Sequence, residues 1–454
     1  MTHSATLPPP GPGERPAEDG RRLLTRRWGD GHQGPAAPAG LPRLMPGHGP
    51  APAGLQEHLE RFGPLPYRGA PRRFIGEVEA AGLTGRGGAA FPTYRKLAAM
   101  ADGRGPAPVV MGNGAEGEPG SNKDKALLWF SPHLVLDGLQ LAAEAVGSVT
   151  VGLYFHRNPR LRARLGAAIA ERAAAGVDAA QAELIEAPPR FLAGEESALA
   201  SRVSGGLALP RFKPPRASQR GVAGRRTLVQ NVETLAHLAL IARHGAAWFR
   251  SAGTTDEPGS MLATLHHADG RTGVVETALG TPIADLLPQS AQAVLVGGYH
   301  GAWLPGAQAE LLPLANAALR PLGAAVGAGV LAALPEDRCG LAETARVARY
   351  LALESAGQCG PCFNGLPRMA GALEELAGPR PSPRAQADLE RWSGLVAGRG
   401  ACHHPDGTVR LVRSALRVFA AEIGCHADGY CTGTSRQPFL PVPAETALDD
   451  DDWL

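Results

Sequence analysis

Residues 82–96 carry the sequence GLTGRGGAAFPTYRK, which is the most informative stretch of the chain. Four of its first seven residues are glycine, so the backbone there can adopt positive φ and approach a ligand without interference from Cβ atoms. A helix that follows such a loop presents free N–H groups, and phosphate is the natural anion to meet them. Phe91 is suited to lie against a flat ring, and Lys96 to meet a phosphate or carboxylate. The stretch therefore predicts a phosphate-bearing ligand, with an ordinary turn as the alternative for a glycine-rich segment.

The composition narrows the class of protein. The chain has 454 residues, of which 44% are hydrophobic and 19% charged, as expected of a globular protein with several domains. A formal net charge of +2 argues against nucleic acid as a partner. The longest apolar run, at residues 322–334, is too short to span a bilayer, and no secretory signal pattern opens the sequence. Six cysteines in so long a chain indicate reduced thiols, hence a cytoplasmic protein, and any cluster among them indicates metal.

Helical and strand patterns alternate around the glycine-rich stretch. The predicted elements are helices at 74–81 and 93–100, a strand at 108–111, a helix at 132–146, a strand at 149–155, a helix at 161–175 and a strand at 182–185. This alternation predicts a mostly parallel α/β sheet with helices on its faces. The strand at 108–111 runs into an acidic, glycine-rich loop, NGAEGEPGSNKDK, at 113–125. Strand ends of this kind are where open α/β sheets bind ligands.

The whole chain divides by composition into consecutive regions. They are a disordered Pro/Gly-rich tail at 1–50, an α/β domain at 51–245, a small domain of short strands at 246–330, a helical domain at 331–430 and an exposed acidic tail at 431–454. In the small domain, His266 and His267 adjoin an Asp-Gly turn and are expected at the surface. The helical domain is predicted to be a four-helix bundle, with helices at 342–353, 366–376, 384–396 and 409–423.

Seven motifs, in a fixed order between about residues 55 and 423, together resemble one family. They are GRGGAAFP, NGAEGEPGSNKD, PHLVLDG, GEESAL, PR-x-KPP, NVETLA and ESAGQCGPC. The chain resembles the flavin- and NADH-binding subunit of respiratory complex I and the related subunits of NAD-reducing hydrogenases and formate dehydrogenases. The resemblance implies a Rossmann-like FMN-binding α/β domain, a small β-grasp (SLBB-like) domain and a C-terminal four-helix iron–sulfur bundle.

The resemblance also implies a set of residues that bind FMN and NAD(H). Glu116 is the residue expected to act catalytically, by tuning the region near nicotinamide and flavin. The implied cofactor-binding residues are Gly85, Arg86, Gly87, Gly88, Phe91, Lys96, Asn113, Glu116, Glu118, Gly194, Glu195, Glu196, Lys213, Asn231 and Thr234. The chain also departs from the family pattern, since an aspartate is replaced by Ala115, one asparagine by Gln230, and two ring-stacking aromatics by Ala99 and Arg216. FMN binding is therefore expected more firmly than NADH binding.

Three cysteines match the family's iron–sulfur ligands, which follow the pattern Cys-x2-Cys-x2-Cys with a fourth cysteine about forty residues later. Cys359 and Cys362 match the second and third ligands and Cys402 the fourth, while Ala356 occupies the first position. Three arrangements stay open: a 3Fe-4S cluster, a 4Fe-4S cluster completed by water or an adjacent histidine, or replacement by another cysteine. The candidates for the missing ligand are His403, His404, Cys339, Cys425 and Cys431.

The resemblance thus predicts an NADH dehydrogenase-like electron-transfer flavoprotein subunit. It implies hydride exchange between NAD(H) and FMN, then one-electron transfer through the cluster to a ferredoxin-like or other redox subunit. The complex would be cytoplasmic, or held at the cytoplasmic face of a membrane by its partners. The alternative is a scaffold or NADH-independent relay without turnover, which Ala99, Ala115, Arg216 and Ala356 favour. A third idea is a polysaccharide- or vitamin-binding module at 246–330.

Overall fold

A computed structural model describes residues 40–45, 52–67, 69, 71–102, 105–212, 214–443 and 450–454. The N-terminal part is α/β. Its helices are α1 (Leu55–Phe62), α2 (Pro71–Ala81), α3 (Thr93–Met100), α4 (Lys123–Phe130), α5 (Pro132–Val146), α6 (Pro159–Ala175), α7 (Glu196–Val203) and α8 (Val232–Phe249). Its strands are β1 (Val109–Gly114), β2 (Thr150–His156), β3 (Ala182–Ala187) and β4 (Thr227–Asn231). Short 3-10 turns lie at Phe191–Gly194 and Val222–Gly224.

The strands of this part form a parallel sheet with the order β3-β2-β1-β4 within the described residues. Val109 on β1 pairs with Thr150 on β2 and with Thr227 on β4. The chain therefore adds β2 and then β3 on one side of β1 and afterwards returns to add β4 on the other side. The point where the strand order reverses is where open α/β sheets bind ligands, outside the carboxyl ends of the strands. The fold thus confirms the predicted parallel α/β class and places the ends of β1 and β4 at a crevice.

Two buried helices, α5 and α8, pack closely against each other. The α5 sequence PHLVLDGLQLAAEAV is apolar nearly all round, and every residue except Glu144 is buried. Gly138 permits the contact, because a Cβ there would lie 1.8 Å from the Leu235 carbonyl oxygen. The buried Asp137 is compensated by Arg172, 2.8 Å away, and by Arg243. Burial alone would raise the pKa of Asp137, but these two guanidinium groups and His58 hold it well below its usual value.

Gly166→Ala is expected to stabilise the protein modestly. Gly166 lies inside α6, and a Cβ built on it would meet nothing within 4 Å. Alanine is favoured over glycine in a helix interior by about 0.5–1 kcal/mol, so the variant should unfold at a slightly higher denaturant concentration with an unchanged m-value. Chemical denaturation followed by circular dichroism measures this. A variant less stable than wild type would show that α6 is packed differently.

The second part is a mixed sheet with strand order β6-β5-β9-β7-β8 within the described residues. Its strands are β5 (Ser260–His266), β6 (Thr272–Ala278), β7 (Ala293–Val296), β8 (Ala302–Pro305) and β9 (Val330–Leu334), with short helices α9 (Ile283–Leu286), α10 (Gly306–Ala309) and α11 (Asn316–Leu319) and a 3-10 turn at Arg320–Leu322. This sheet braces the acidic loop, since Thr264 Oγ1 accepts a hydrogen bond from Asn122 N at 3.0 Å. The prediction that His266 lies at the surface is wrong. It is buried, and its Nε2 donates to the Gly120 carbonyl at 2.7 Å.

The C-terminal part is helical. It contains α12 (Gly340–Leu353), a π-helical turn (Pro361–Gly365), α13 (Leu366–Leu376), α14 (Ala385–Val396), α15 (His404–Val418) and α16 (Ala420–Ala427). The last helix predicted at 409–423 is two helices that meet at Phe419, whose ring packs edge-on against Trp303 with centroids 5.4 Å apart. No helix among the described residues combines the length and apolar character that crossing a bilayer requires.

Both ends of the described chain dock on this body. Residues 40–45 fall in the predicted disordered tail, yet Leu44 is fully buried and Arg43 stacks 4.1 Å from the centre of the Trp248 ring. Residues 1–39 and 46–50 of the predicted tail lie outside the described residues. The predicted acidic tail is not simply exposed: Leu440 is buried, and Trp453 packs under the Arg190 guanidinium at 5.1 Å. These few apolar side chains are buried, although the overall composition of the segments that carry them predicts exposure.

Candidate flavin and iron–sulfur site

A cleft of about 290 Å³ opens at the carboxyl ends of β1 and β4. Several segments that are far apart in sequence line it, including the glycine-rich loop, the acidic loop, the GEE segment and the start of the α8 region. The predicted site residues that line it are Arg86, Gly87, Asn113, Glu116, Glu118, Gly194, Glu195, Asn231 and Cys402. The structure therefore brings together the central members of the predicted flavin set and one predicted cluster ligand.

Close contact between backbones fixes the walls of the cleft. A Cβ on Gly194 would lie 2.4 Å from the Ala115 carbonyl oxygen, and one on Gly117 would lie 2.2 Å from the Phe191 carbonyl oxygen. The acidic loop therefore packs against the turn Phe191–Gly194 in a way that only glycine allows. Asn113 Nδ2 donates to the Gly194 carbonyl at 2.8 Å and locks the two segments together.

A buried ion-pair network centred on Lys123 forms part of the wall of the cleft. Its ammonium lies 2.7 Å from Asp124 Oδ1 and 2.9 Å from Glu233 Oε2. Burial alone would raise the pKa of Glu233, but Lys123 lowers it to about 2. Burial raises the pKa of Asp124 to about 7 against the opposing effect of Lys123. Asn231 Nδ2 donates to Asp124 Oδ2 at 2.7 Å, so the network orients a residue of the cleft.

Lys123 lines the cleft but is absent from the predicted site residues. The available signal was the polar NKDK run at the end of the acidic loop. That run alone does not distinguish a solvated lysine from a buried one, because the partner Glu233 lies 110 positions away. His300, which also lines the cleft, carried no recognisable motif.

The two glutamates of the acidic loop have different surroundings. Glu116 accepts hydrogen bonds from the Ser121 hydroxyl, from Asp124 N at 3.2 Å and from Lys125 N at 3.3 Å, so it closes its own loop. Glu118 accepts from Gly120 N at 3.1 Å and from Tyr299 N at 2.7 Å, which ties the loop to the second sheet. Burial raises the pKa of Glu118 to about 7, although these N–H groups oppose the shift.

Glu118→Gln is expected to reduce the loss of folding stability that wild type suffers as the pH rises. The pKa of Glu118 is raised from 4.5 to about 7 in the folded protein. The protein is therefore not destabilised by Glu118 at a pH below the pKa of this group in the unfolded chain. It loses stability as the pH rises from there through the pKa of Glu118 in the folded protein. The cost of ionising the buried group is on the order of 3 kcal/mol. Glutamine does not ionise, so the free energy of unfolding of the variant, relative to wild type, should rise by up to this amount between about pH 4.5 and pH 7.

Thermal unfolding of both proteins across that pH range measures the difference. Glu310→Gln is the matched control, because Glu310 is exposed and its substitution removes the same charge without a buried group. Stability curves of wild type and Glu118→Gln that stay parallel with pH would show that Glu118 is ionised in the fold at low cost.

A second groove, of about 220 Å³, contains further predicted residues. Lys96 and Glu196 face each other across it at 3.6 Å, and Lys96 Nζ also donates to the Val229 carbonyl at 3.2 Å. The Phe91 ring lines this groove and is 40% exposed. Ala99 and Arg216, the two positions where the family pattern has aromatics, line the same groove. All three ring positions of that pattern therefore face one groove, and two of them lack a ring.

Arg86 and the other predicted residues either support the cleft, line a separate cavity or lie outside the described residues. Arg86 lines the cleft, but its side chain is held by protein partners, with Nε donating to the Ser260 carbonyl at 3.2 Å, while Arg86 N donates to Thr234 Oγ1 at 2.9 Å. Thr234 therefore holds the glycine-rich loop from behind. Gly85 and Gly88 line a separate small cavity beside Arg86. Lys213 lies outside the described residues.

The three predicted cluster cysteines lie together next to the cleft. Cys362 is buried within hydrogen-bonding reach of Cys359 and of the Ser355 hydroxyl, with Cys402 beside it. Burial raises the pKa of the Cys362 thiol to about 12, and a thiolate there needs the charge of a metal. Glu354, at the start of the cysteine loop, lies 3.0 Å from Arg190 and accepts from Phe191 N at 2.8 Å. The cysteine loop is thereby joined to the wall of the cleft.

The structure narrows the candidates for the missing cluster ligand. Both ring nitrogens of His404 have partners, with Nδ1 3.0 Å from His300 Nε2 and Nε2 2.7 Å from the Leu351 carbonyl. Cys339 caps the opposite end of α12, a helix of 14 residues that spans about 21 Å. Cys431 lies beside Cys339 rather than beside the cysteine loop. Cys425 precedes His426 on α16, and the His426 ring also lies against Cys339 at that far end of α12. His403 lines the cleft with Cys402 and stays a candidate.

The chemistry of the cleft fits a flavin mononucleotide. Amide and carboxylate side chains suit the hydroxyl-rich ribityl chain, and the glycines leave backbone within reach of a flat ring. The residues that would hold it are Asn113, Glu195 and Asn231 in the cleft, whereas Lys96, predicted to meet a phosphate, lies in the second groove and pairs with Glu196 at 3.6 Å. The three thiols suit iron–sulfur ligation.

Comparison with known proteins identifies the family of this chain. The family model described as the Nuo51 FMN-binding domain matches residues 78–240, and that of the NADH-ubiquinone oxidoreductase-F iron-sulfur binding region matches residues 342–426. The F subunit of NADH-quinone oxidoreductase from Escherichia coli (strain K12) is 30% identical over 400 residues, covering 82% of this chain and 89% of that protein. The protein of the same name from Mycobacterium tuberculosis (strain CDC 1551 / Oshkosh) is 31% identical over 382 residues, covering 79% of this chain and 85% of that protein.

A solved structure, an NAD+-reducing NiFe-hydrogenase in the H2-reduced state, matches with a TM-score of 0.70 and 28% identity. The match covers 82% of this chain, which spans 64% of the hydrogenase chain, just under two thirds. Fold, cleft and cysteines together define a flavin- and iron–sulfur-binding oxidoreductase component. The chain belongs to the family of NADH-quinone oxidoreductase F subunits. The predicted family, fold class and pair of cofactors are thereby confirmed.

Proposed function

We propose that this chain is an electron-transfer flavoprotein subunit in which NAD(H) exchanges a hydride with FMN and electrons pass singly through an iron–sulfur cluster to a partner protein. One observation carries the proposal. The glycine-rich loop, the acidic loop, the GEE segment and Asn231 converge on one cleft, and Cys402 lines the same cleft. A flavin is the cofactor suited to this position, since it accepts a hydride and releases electrons one at a time.

The side chains of the cleft position the cofactor and set its electrostatic surroundings. Asn113 and Asn231 are oriented by their own hydrogen bonds and would hold the flavin at the ribityl chain. Glu116 has its oxygens occupied by donors of its own loop, so its proposed role is to hold the shape of the acidic loop at the cleft. Glu118 anchors the loop to the second sheet. These residues would position the flavin, and the flavin when bound would supply the hydride chemistry.

The second groove, which Phe91, Ala99 and Arg216 line, is the proposed binding place of the dinucleotide. Phe91 offers a ring for stacking, and Arg216 offers a guanidinium in place of the second ring position. Each missing aromatic partner removes about 0.5–1.5 kcal/mol of stacking. The KM for NADH is therefore expected to be higher than that of a relative with all three rings, while FMN binding is unaffected.

The partner is proposed to be a ferredoxin-like or other redox subunit of a larger complex, because the matched relatives are named as subunits. A cytoplasmic location, with any contact to a membrane made through the partners, is supported by the six cysteines, all among the described residues, none of which forms a disulfide.

Anaerobic purification followed by visible spectroscopy tests the proposal. The expected result is about one FMN per chain, with flavin bands that bleach on addition of NADH. The alternative, a scaffold that retains the fold without turnover, predicts a colourless protein or bound FMN that NADH fails to bleach. Dithionite serves as the control that shows the bound flavin to be reducible.

A further inference from the structure

Four potential metal ligands meet at the side of the helical bundle where α12 begins. They are Cys339 at the N-terminus of α12, Glu422 and His426 on α16, and Cys431 just after α16. One ligand atom from each lies within 4.8 Å of all the others. Three of the four residues are buried and Cys431 is half-buried. The group includes neither the three cysteines beside the cleft nor any residue of the cleft.

The distances within the group fit a tetrahedral metal. Cys339 Sγ and His426 Nε2 are 3.6 Å apart. With metal–sulfur and metal–nitrogen bonds of about 2.3 and 2.0–2.1 Å, two tetrahedral ligands lie roughly 3.5 Å from each other. Glu422 Oε1 lies 2.9 Å from the same imidazole nitrogen, so a small outward movement of the carboxylate completes the site.

Neighbouring groups orient these ligands. His426 Nδ1 lies 3.2 Å from the Leu376 carbonyl, so with a metal bound Nδ1 would donate to that oxygen while Nε2, 3.6 Å from Cys339 Sγ, faces the ion. Ala342 N donates to Cys339 Sγ at 3.4 Å. Thr432 N donates to Glu422 Oε1 at 3.0 Å. Metal-binding histidines almost always have a second-nitrogen bond of this kind.

The backbone also approaches the group closely. A Cβ on Gly433 would lie 2.6 Å from Cys339 N. The segment after Cys431 therefore lies directly against the start of α12 and closes the group from outside.

We propose that Cys339, His426, Cys431 and Glu422 bind a structural Zn²⁺ ion. Two thiolates, an imidazole and a carboxylate form a closed tetrahedral set of the kind that zinc prefers. Binding releases the protons of the two thiols and leaves the site with a net charge of −1, or 0 if water replaces the carboxylate. The ion joins the first helix of the bundle to the last and to the segment that follows it. It takes no part in electron transfer, since zinc has no redox chemistry.

Metal and flavin analysis of the full chain, isolated from zinc-supplemented cells, tests this. Wild type is expected to hold about one zinc per chain, and Cys431→Ser and Cys339→Ser to fall at least ~10-fold in zinc with iron and FMN content kept. Cys425→Ser is the matched control: this cysteine lies on the same helix as Glu422 and His426 but outside the group, and its variant should keep its zinc. Cys431→His, which supplies another zinc ligand, should restore binding.

Thiol labelling of the wild-type protein gives a readout that does not depend on a variant folding. Cys339 and Cys431 should resist alkylation until a strong chelator is added and should then be labelled at least ~10-fold faster, whereas labelling of Cys425 should not respond. Wild type without zinc, zinc that persists in Cys339→Ser and Cys431→Ser, iron at this position, or a disulfide between Cys339 and Cys431 would each overturn the proposal.

Discussion

Cys402→Ser is expected to abolish the low-temperature paramagnetic signal of the reduced iron–sulfur cluster while FMN stays bound. Cys402 lies beside Cys359 and Cys362, and Ala356 leaves no cysteine at the family's first ligand position. With only two thiolates remaining, cluster occupancy should fall by at least ~10-fold. Electron paramagnetic resonance of dithionite-reduced protein, with iron and FMN quantified on the same sample, measures the effect.

Cys425→Ser is the control for this variant, since it removes a thiol from the same bundle without touching the cysteines beside the cleft. An undiminished signal in Cys402→Ser would show that the cluster is held by other residues. Loss of FMN together with the signal would show that Cys402 supports the cleft itself rather than the cluster alone.

Gly194→Val is expected to remove FMN from the purified protein. A Cβ at this position would lie 2.4 Å from the Ala115 carbonyl oxygen, so the acidic loop and the GEE segment must separate. Asn113 would then lose its bond to the Gly194 carbonyl, and Glu195 would move with the segment. A misplacement of about 1 Å in a binding constellation costs on the order of 100-fold, which is the expected weakening of FMN binding. Fluorescence titration of the apoprotein with FMN measures it.

Gly166→Ala provides the control for Gly194→Val, because it adds a Cβ in a helix where nothing lies within 4 Å. It should bind FMN like wild type. If Gly194→Val folded normally and kept wild-type FMN affinity, the flavin would have to bind elsewhere than at this wall of the cleft.

The cleft was largely predictable because its motifs lie at the ends of parallel strands. The periodicity of the first part indicated a strand that leads into the acidic loop, at the edge where parallel sheets bind ligands, but it did not predict β4, which leads into Asn231. The resemblance to the family then supplied the cofactor, which no single motif specified. The roles of individual residues were less accessible. Thr234 and the Arg86 side chain support the loop from behind, a distinction that only the packing reveals.

Long-range pairings were not predictable from local pattern. Lys123 is buried because Glu233 meets it from 110 positions away. The docking of Trp453 under Arg190 likewise joins distant segments, whereas the acidic, polar sequence around Trp453 by itself predicts an exposed tail. The same holds for Cys339 and Cys431, which spacing alone suggested as spare cluster ligands and which the fold places beside His426.

Anaerobic reductive titration of the intact protein tests the central claim most directly, namely that one chain holds FMN and an iron–sulfur cluster at a shared cleft. The flavin takes up two electrons and the cluster one, so dithionite should deliver about three electrons per chain before excess reductant appears. Cys402→Ser should accept about two. Uptake of three electrons by wild type and two by the variant is the predicted result, and a wild-type protein that accepts none, or no more than its Cys402→Ser variant, would contradict the account.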